Sequence, residues 1–194
     1  MTDPPVAVRP LSPAQAATRR ALLDAAAATA LDGGYDAVTM RGIAKRAGVS
    51  APTAYQHFAS KDHLLVEVMI ERVNGTTAAV AAKPAKGAIP IDRTVATLRR
   101  AMRRVEDEPN LYIAMMRAYI SGVPEVAHVR TGMETSMQTW VDTALGDAEV
   151  DDRPAVVAIL EAVLFAGMVG LVTGGRKPSD VADDLERAAR RLLA

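Results

Sequence analysis

The chain has 194 residues, 49% of them hydrophobic and 4% aromatic, which is enough apolar material for one or two small helical domains with a core of their own. It contains no cysteine, which excludes disulfides and thiolate metal sites and suits a cytoplasmic protein. Its 23 basic and 23 acidic side chains give a formal net charge of zero, so binding to nucleic acid would depend on a few well-placed contacts rather than on bulk charge.

Helical patterns run along the chain and strand-type alternation is nearly absent, which predicts an all-α fold of about nine helices. Residues 1–12 are Pro-rich and lack the apolar core of a signal peptide, so we expect a disordered arm. The first helix is predicted over Pro13–Leu31, ending at the glycine pair 33–34. Near its start, Arg19 and Arg20 either meet DNA phosphates or are simply solvated.

The segment 39–61 predicts two short helices joined by a tight turn. Thr39 is a suitable N-cap, and apolar residues then recur at i, i+3, i+4 and i+7 over positions 40–47. Gly48 suits the left-handed position that ends a helix. Ser50 caps the next helix, and Pro52 falls in its first turn, where a missing N–H costs little. This order is typical of a DNA-docking helix-turn-helix, although a compact three-helix domain with ordinary caps has similar signals.

This segment and its flanks resemble the N-terminal signature of the TetR family of transcriptional regulators. The resemblance runs without a gap over about residues 18 to 66. It is carried by Gly33-Gly34-Tyr35, Val38-Thr39-Met40-Arg41, Ile43-Ala44, Ala47-Gly48-Val49-Ser50, Thr53, Tyr55-Gln56-His57-Phe58, Ser60-Lys61-Asp62 and Leu64-Leu65. It implies a helix-turn-helix DNA-binding domain over residues 13–60, here called the head, followed by an effector-binding and dimerisation domain over residues 61–194.

The resemblance also divides the head's side chains between two tasks, holding the DNA backbone and recognising bases. Phosphate contacts are implied for Thr39, Ser50, Tyr55, His57 and Lys61. Base contacts are implied for Arg41, Ala51, Pro52, Thr53 and Gln56. The charge distribution has the matching sign, since residues 1–65 hold 7 Lys and Arg against 5 Asp and Glu, and the remainder holds 16 against 18.

The chemistry of these residue types agrees with both tasks. The fork of Arg41 suits guanine O6 and N7, and Gln56 suits adenine, although Arg41 also fits an ordinary surface arginine. Ala51 and Pro52 offer apolar contact, for example to thymine methyl groups. Lys61 begins the next helix, where its charge opposes the helix dipole, and a nearby phosphate would offset that repulsion.

The rest of the chain predicts further helices separated by proline- and glycine-rich breaks. They are helix 4 (60 to about 80), a loop (81–90), helix 5 (91–106), helix 6 (109–121), helix 7 (125–145), a polar turn (146–152), helix 8 (154–173) and helix 9 (178 to the C-terminus). Helix 4 would lead from the head into the second domain.

Helix 8 is apolar on more than one side, so it must be buried in the chain or at a subunit interface. The apolar run 155–172 is shorter than a usual membrane span and contains Glu161, so a membrane helix is not expected. Gly167 and Gly170 permit close helix approach. The resemblance implies that helices 8 and 9 pair with their mates in a four-helix bundle, giving a homodimer whose two heads bind a near-palindromic operator.

Helices 5 to 8 carry methionines and aromatics, which are adaptable walls for an apolar ligand but also ordinary core residues. The family generally has an effector cavity in this region. Its predicted lining is Leu98, Met102, Val105, Leu111, Met115, Met116, Tyr119, Met133, Met137, Trp140, Leu164, Phe165 and Met168. The segment 109–119, PNLYIAMMRAY, with the helix 7 pattern, is loosely similar to actinobacterial steroid-catabolism repressors. This implies an apolar effector, sterol-derived or a fatty acyl-CoA. Arg103, Arg117 or Arg130 could meet its anionic part, although an ordinary surface charge is the favoured interpretation of each.

The sequence therefore predicts a DNA-binding regulator, a repressor in the family's usual mode, in which effector binding weakens DNA binding through helix 4. An activator of the same family and a non-enzymatic helical scaffold are the alternatives. An enzyme is disfavoured because His57, His63 and His128 lack ligand spacing and no Gly-rich phosphate loop is present. No cofactor or metal is predicted.

Overall fold

The computed structural model describes residues 11–122 and 129–194, and within these ranges the chain consists of helices and loops without a strand. The all-α prediction is confirmed. The helices are α1 (Pro13–Ala37), α2 (Met40–Arg46), α3 (Ala51–His57), α4 (Lys61–Ala82), α5 (Pro90–Asp107), α6 (Pro109–Ile120), α7 (Val129–Leu145), α8 (Arg153–Val172) and α9 (Pro178–Leu192). The predicted start of helix 7 at residue 125 and most of the predicted arm lie outside the described residues, and side chains of α7 are described from residue 132.

The first helix is longer than predicted. Gly34 interrupts it at the expected place, with φ 69° and ψ −166°, a region that glycine enters without steric cost. Helical residues resume after Gly34 and continue to Ala37. This short extension carries Tyr35 and Asp36 to side chains of α4 and α6.

The core of the head is completed by later parts of the chain. Ile43, Ala44 and Phe58 are at most 1% exposed, packed with α1 and the first half of α4. Four residues of α6 belong to the same cluster: Leu111, Ala114, Met115 and Ala118. The predicted boundary at residue 60 therefore falls inside one packed cluster, and the division of the chain into domains at this residue stays a prediction.

The second core lies between α5, α7, α8 and α9. Arginines of α5 satisfy the free carbonyl groups at the ends of neighbouring helices. Arg93 donates to the carbonyls of Ala144 (2.8 Å) and Leu145 (3.1 Å) at the end of α7, and Arg100 donates to that of Lys83 (2.6 Å) after α4. A cation at a helix C-terminus also complements the helix dipole. These bonds hold α4, α5 and α7 together around the site described below.

Helix α8 packs closely on α9 and leaves its other side uncovered. A Cβ at Gly167 would lie 2.5 Å from Val181 Cγ1, so glycine is required for the intrachain contact; Gly170 likewise faces the Arg176 side chain. The exposed side of α8 is apolar and consists of Ala158, Ile159, Ala162, Phe165 and Ala166, here called the α8 face. Among the described helices, α8 is long and apolar enough to cross a membrane, judged by length and composition alone. Of the residues in its most apolar stretch, 33% are buried within the chain.

Candidate DNA-binding surface and effector cavity

The turn between α2 and α3 is fixed by the predicted caps. Thr39 Oγ1 accepts a hydrogen bond from the N–H of Gly42 (3.1 Å), and Ser50 Oγ accepts one from that of Thr53 (3.2 Å). Gly48 has a left-handed φ of 71°, and the N–H of Val49 donates to the carbonyl of Ala44 (3.0 Å). This is the hydrogen-bond pattern of a helix that ends at a glycine. These contacts set the angle between the two helices.

The side chains predicted to meet DNA stand on the outside of this unit. Thr39, Arg41, Ser50, Pro52, Tyr55 and Gln56 are exposed, and Ala51, Thr53, His57 and Lys61 are half-buried. Tyr55 is 56% exposed, a large uncovered area for an aromatic ring beside a tightly packed core. The structure thus brings all of these residues to one accessible unit, and their contacts with DNA stay predictions.

Arg19 and Arg20 both form ion pairs with acidic side chains of α1 or α4. Arg19 pairs with Glu67 and lies 5.0 Å above the ring of Phe58. Arg20 bonds Asp24 (3.1 Å) within α1 and Glu71 (3.1 Å) of α4. Both guanidinium groups therefore tie α1 to α4, and their contact with DNA phosphates stays a prediction.

Lys61 is held by a cluster that sequence reasoning missed. Its Nζ lies 3.7 Å from the centroid of the Tyr35 ring and donates to the Tyr35 carbonyl (3.3 Å). The Tyr35 hydroxyl donates to Asp62 Oδ1 (2.6 Å); burial and this bond raise the pKa of Tyr35 to about 12. Arg117 of α6 lies 4.2 Å from the same ring centroid and bonds Asp36 (3.1 Å). Tyr35, directly after Gly33-Gly34, was the one residue in the sequence that could have indicated this cluster.

A small cavity of about 60 Å³ lies between α4, α6, α7 and α8. Its lining is Val73, Tyr119, Met133, Ser136, Met137, Trp140, Glu161, Leu164 and Phe165. Tyr119 and Phe165 meet edge to face, with ring centroids 6.2 Å apart. A second void of about 20 Å³ adjoins it and shares Val73 and Met133. The predicted lining residues Tyr119, Met133, Met137, Trp140, Leu164 and Phe165 are thus brought together, whereas Val73, Ser136 and Glu161 were missed.

The other predicted lining residues are packed in the two cores rather than at the cavity. Leu98, Met102, Val105, Met116 and Met168 lie in the second core, and Leu111 and Met115 lie in the core of the head. Ligand pockets usually enclose about 300 Å³ or more, so an effector would have to displace such side chains to fit. Their contact with a ligand stays a prediction.

The arginines considered for an anionic ligand are differently placed. Arg117 is committed to Tyr35 and Asp36, Arg103 is exposed on α5, and the side chain of Arg130 lies outside the described residues. A ligand anion would thus have to compete with Asp36 for Arg117.

A groove of about 420 Å³ runs between α8 and α9 beside the α8 face, and Ala166 belongs to both. Its lining is Val163, Ala166, Gly167, Arg176, Asp184, Arg187, Ala188 and Arg191. Arg187 and Arg176 both bond Asp184 and lower the pKa of its carboxyl. This region therefore combines an uncovered apolar strip with fixed charges at its edge, as subunit interfaces do.

Comparison with known proteins covers nearly the whole chain. The model of the bacterial regulatory proteins, tetR family, matches residues 22–68, and that of the tetracyclin repressor-like C-terminal domain matches residues 87–192. The chain is 33% identical over 186 residues to the HTH-type transcriptional repressor KstR of Rhodococcus jostii, covering 94% of this chain and 85% of that protein. It is 28% identical to a TetR transcriptional regulator from Rhodococcus sp. RHA1, with a TM-score of 0.74, covering 93% of this chain and 98% of that one. A Thermus thermophilus FadR repressor solved in complex with lauroyl-CoA shares the fold, with a TM-score of 0.69 at 23% identity over 90% of this chain and 93% of that one.

Proposed function

The chain belongs to the TetR family of bacterial regulatory proteins, and from this premise we propose that it is a repressor that binds a near-palindromic operator as a homodimer and leaves it when an apolar effector binds. It is a DNA-binding transcriptional regulator and not an enzyme. The observation that carries the proposal is the accessible helix-turn-helix, whose predicted contact residues all lie outside the core. Its place of action would be the cytoplasm, where the DNA is.

Backbone contacts are supported by the donors that the caps leave available. A hydroxyl that accepts one hydrogen bond still has its own hydrogen to donate, so Thr39 can cap α2 and also donate to a phosphate. Ser50 Oγ lies 2.7 Å from Thr53 Oγ1, so one hydroxyl hydrogen of this pair is used between them and the other is left for a phosphate. The exposed phenol of Tyr55 and the ammonium of Lys61 add two further donors. His57 completes the set as a half-buried group at the end of α3.

Base recognition is assigned to the exposed side chains at the start of α2 and along α3. Arg41 can donate two hydrogen bonds to O6 and N7 of guanine, and Gln56 can donate to N7 and accept from the N6 amino group of adenine in the major groove. Ala51, Pro52 and Thr53 form the first turn of α3, where small side chains allow close approach to base edges. One head contacts too few base pairs to distinguish its operator from the other sites in a genome. A two-fold dimer contacts two half-sites and so doubles the number of base pairs recognised.

The dimer is supported by the α8 face. Ile159 and Phe165 are 44% and 41% exposed among alanines, although α8 is among the most apolar segments of the chain. Burial of such a strip stabilises association by about 25 cal/mol per Å² of apolar surface removed from water. Pairing α8 and α9 with those of a second chain would cover this strip and the adjoining groove together.

An apolar effector is supported by the methionine and aromatic walls of the cavity, since these side chains change rotamer readily. We assign it to the sterol-derived or fatty acyl-CoA class; the lauroyl-CoA named in the Thermus FadR complex gives a first probe. An effector that binds better to a conformation with wrongly spaced heads must lower DNA affinity by the same factor.

The test uses the full chain and duplex DNA from upstream of its own coding region, with a scrambled duplex as control. A gel shift at moderate salt should give a specific complex with an even number of chains per site. A folded dimer without a specific shift would contradict the proposal and favour a scaffold, and increased transcription from the bound site would make it an activator.

Effector release is tested separately by native mass spectrometry for a retained apolar ligand and by adding lauroyl-CoA to the complex. Distances between spin labels on the two heads should change as affinity falls. Lost affinity at unchanged spacing would contradict the proposed mechanism.

A further inference from the structure

The cluster around Tyr35 joins the cavity-lining helix to the DNA-binding surface. We propose that Arg117 is a positioning residue: it fixes the Tyr35 ring, which in turn holds the Lys61 ammonium in place for a DNA phosphate, so that movement of α6 alters this contact. The inference rests on the proposed function, because it assigns a regulatory connection to the same DNA-binding surface.

Helix α6 is part of both halves of the molecule. One side of it contributes Leu111 and Met115 to the core of the head, and another contributes Met116 to the second core. Arg117 and Tyr119 are two residues apart, which places them about 200° apart around the helix axis. Tyr119 lines the cavity, while Arg117 points to the head. A rotation of α6 that makes room at Tyr119 must therefore also move Arg117.

Two contacts tie α6 to the end of α1. Near the start of α6, Asn110 Nδ2 donates to the carbonyl of Leu31 (3.3 Å). One turn before its end, Arg117 bonds the carboxylate of Asp36 and lies over the ring of Tyr35. A planar guanidinium can make both of these contacts at once, whereas an ammonium cannot reproduce the pair. Arg117 thus determines how the segment after Gly34 sits against α6.

The same segment holds Lys61. The ammonium contacts the Tyr35 ring and bonds the Tyr35 carbonyl, and it has three N–H donors in all. The ring is held from the other direction by its hydroxyl, which donates to Asp62. Lys61 is therefore fixed at the N-terminus of α4 with donors left for a phosphate. Loss of Arg117 would release the ring and lower the fraction of time that Lys61 is correctly placed.

The first experiment is a double-mutant cycle on phosphate contacts, which does not require the operator. Affinity for an arbitrary duplex of about 30 base pairs is measured over a salt series, where each phosphate contact contributes about one to the slope of log K against log salt. We expect Lys61→Ala and Arg117→Ala each to weaken binding several-fold and to lower this slope, and the double variant to bind like Lys61→Ala alone. Arg117→Lys should lie between wild type and Arg117→Ala.

A matched control removes the same charge elsewhere. Arg104 is exposed on α5, so Arg104→Ala should change affinity only slightly and equally in both Lys61 backgrounds. Equal fold losses for Arg117→Ala in the presence and absence of Lys61, or a loss no larger than that of Arg104→Ala, would overturn the proposal. Circular dichroism confirms that each variant is folded.

The second experiment needs no DNA and so separates this proposal from the proposed function. NMR of ¹³Cε-labelled lysine can resolve a separate signal for each lysine, because the chain has only Lys45, Lys61, Lys83, Lys86 and Lys177. The ring current of Tyr35 should shift the Lys61 signal, Tyr35→Leu should abolish that shift, and Arg117→Ala should reduce it. An unchanged Lys61 signal in folded Arg117→Ala would overturn the positioning role. A reduced shift in a chain that binds no DNA would sustain it while overturning the proposed function.

Discussion

The head and the α8 face differ in what they leave uncovered. In the head, Thr39 and Ser50 complete the helix ends within the chain, and Phe58 is 1% exposed in the core. Its outer surface carries polar donors, of which Thr39, Ser50 and Lys61 are held in place by hydrogen bonds within the chain. On the α8 face, Ile159 and Phe165 stay 44% and 41% exposed beside other apolar residues. The first surface is complete as folded, and the second leaves apolar area in contact with water, which the proposed dimer would cover.

This difference teaches how a change in each region should affect function. At the head, single donors in fixed positions matter, so a substitution should alter particular DNA contacts. At the α8 face, apolar area matters, so a substitution should act on assembly and reach DNA only through it. Each prediction below would strengthen or break this division.

The largest effect is expected from a charge on the α8 face. Ile159→Glu should dissociate the proposed dimer, because burying a carboxylate in its interface would be costly. Operator affinity should then fall by about 100-fold or more, since the second head loses its effective concentration. Sedimentation velocity and fluorescence anisotropy measure the two effects.

Ile120→Glu is the matched control. Ile120 is also 44% exposed but lies at the end of α6 and is not part of the α8 face. It should leave assembly and affinity unchanged. A dimeric Ile159→Glu variant with full affinity would remove the distinction between the two regions.

The next effect concerns single contacts of the head. Arg41→Ala should cost about 1–3 kcal/mol at one base pair and relax selectivity there. Lys61→Ala should weaken binding to all sequences alike. Affinities for a panel of operators, each changed at one base pair, separate these results. A uniform loss for Arg41→Ala would make Arg41 a backbone contact or a plain surface charge.

The sequence predicted the head in more detail than the remainder of the chain because its signals are local. The N-caps Thr39 and Ser50 and the left-handed Gly48 act on bonds within a few residues, and the structure has each of them in its predicted role. Contacts between distant residues could not be predicted in this way. Arg19 pairs with Glu67, 48 residues further along the chain, and nothing in the sequence links the two.

The effector cavity depends on packing between helices, which residue type alone does not determine. Met102 and Met137 look alike in sequence and both belong to the second core, yet of the two only Met137 also lines the cavity. Ser136 was missed because a polar residue one position from a methionine gives no sign of which way its helix faces. Likewise, Gly167 was linked to close helix approach, but its partner is Val181 of the same chain.

A smaller effect tests that intrachain contact. Gly167→Ala should destabilise the fold by about 1–3 kcal/mol, because its Cβ would overlap the side chain of Val181, which is 0% exposed and has nowhere to move. Thermal unfolding at fixed protein concentration measures the change. Val181→Ala in the same chain should restore part of the loss, and no restoration would show that overlap is not the cause.

The smallest effect is expected at Gly75, in the α4 helix that joins the two regions. Apart from its chain neighbours and the backbone of α4 itself, no atom lies within 4 Å of a Cβ there, and its φ is not in the left-handed region. Gly75→Ala should therefore stabilise the protein by about 0.5–1 kcal/mol through helix propensity. If α4 moves as a rigid rod, operator affinity and its response to an effector should both be unchanged. A stabilised variant that binds DNA normally but no longer responds would instead place a hinge at Gly75, and the head and the α8 face would then communicate by bending of α4 rather than by its displacement.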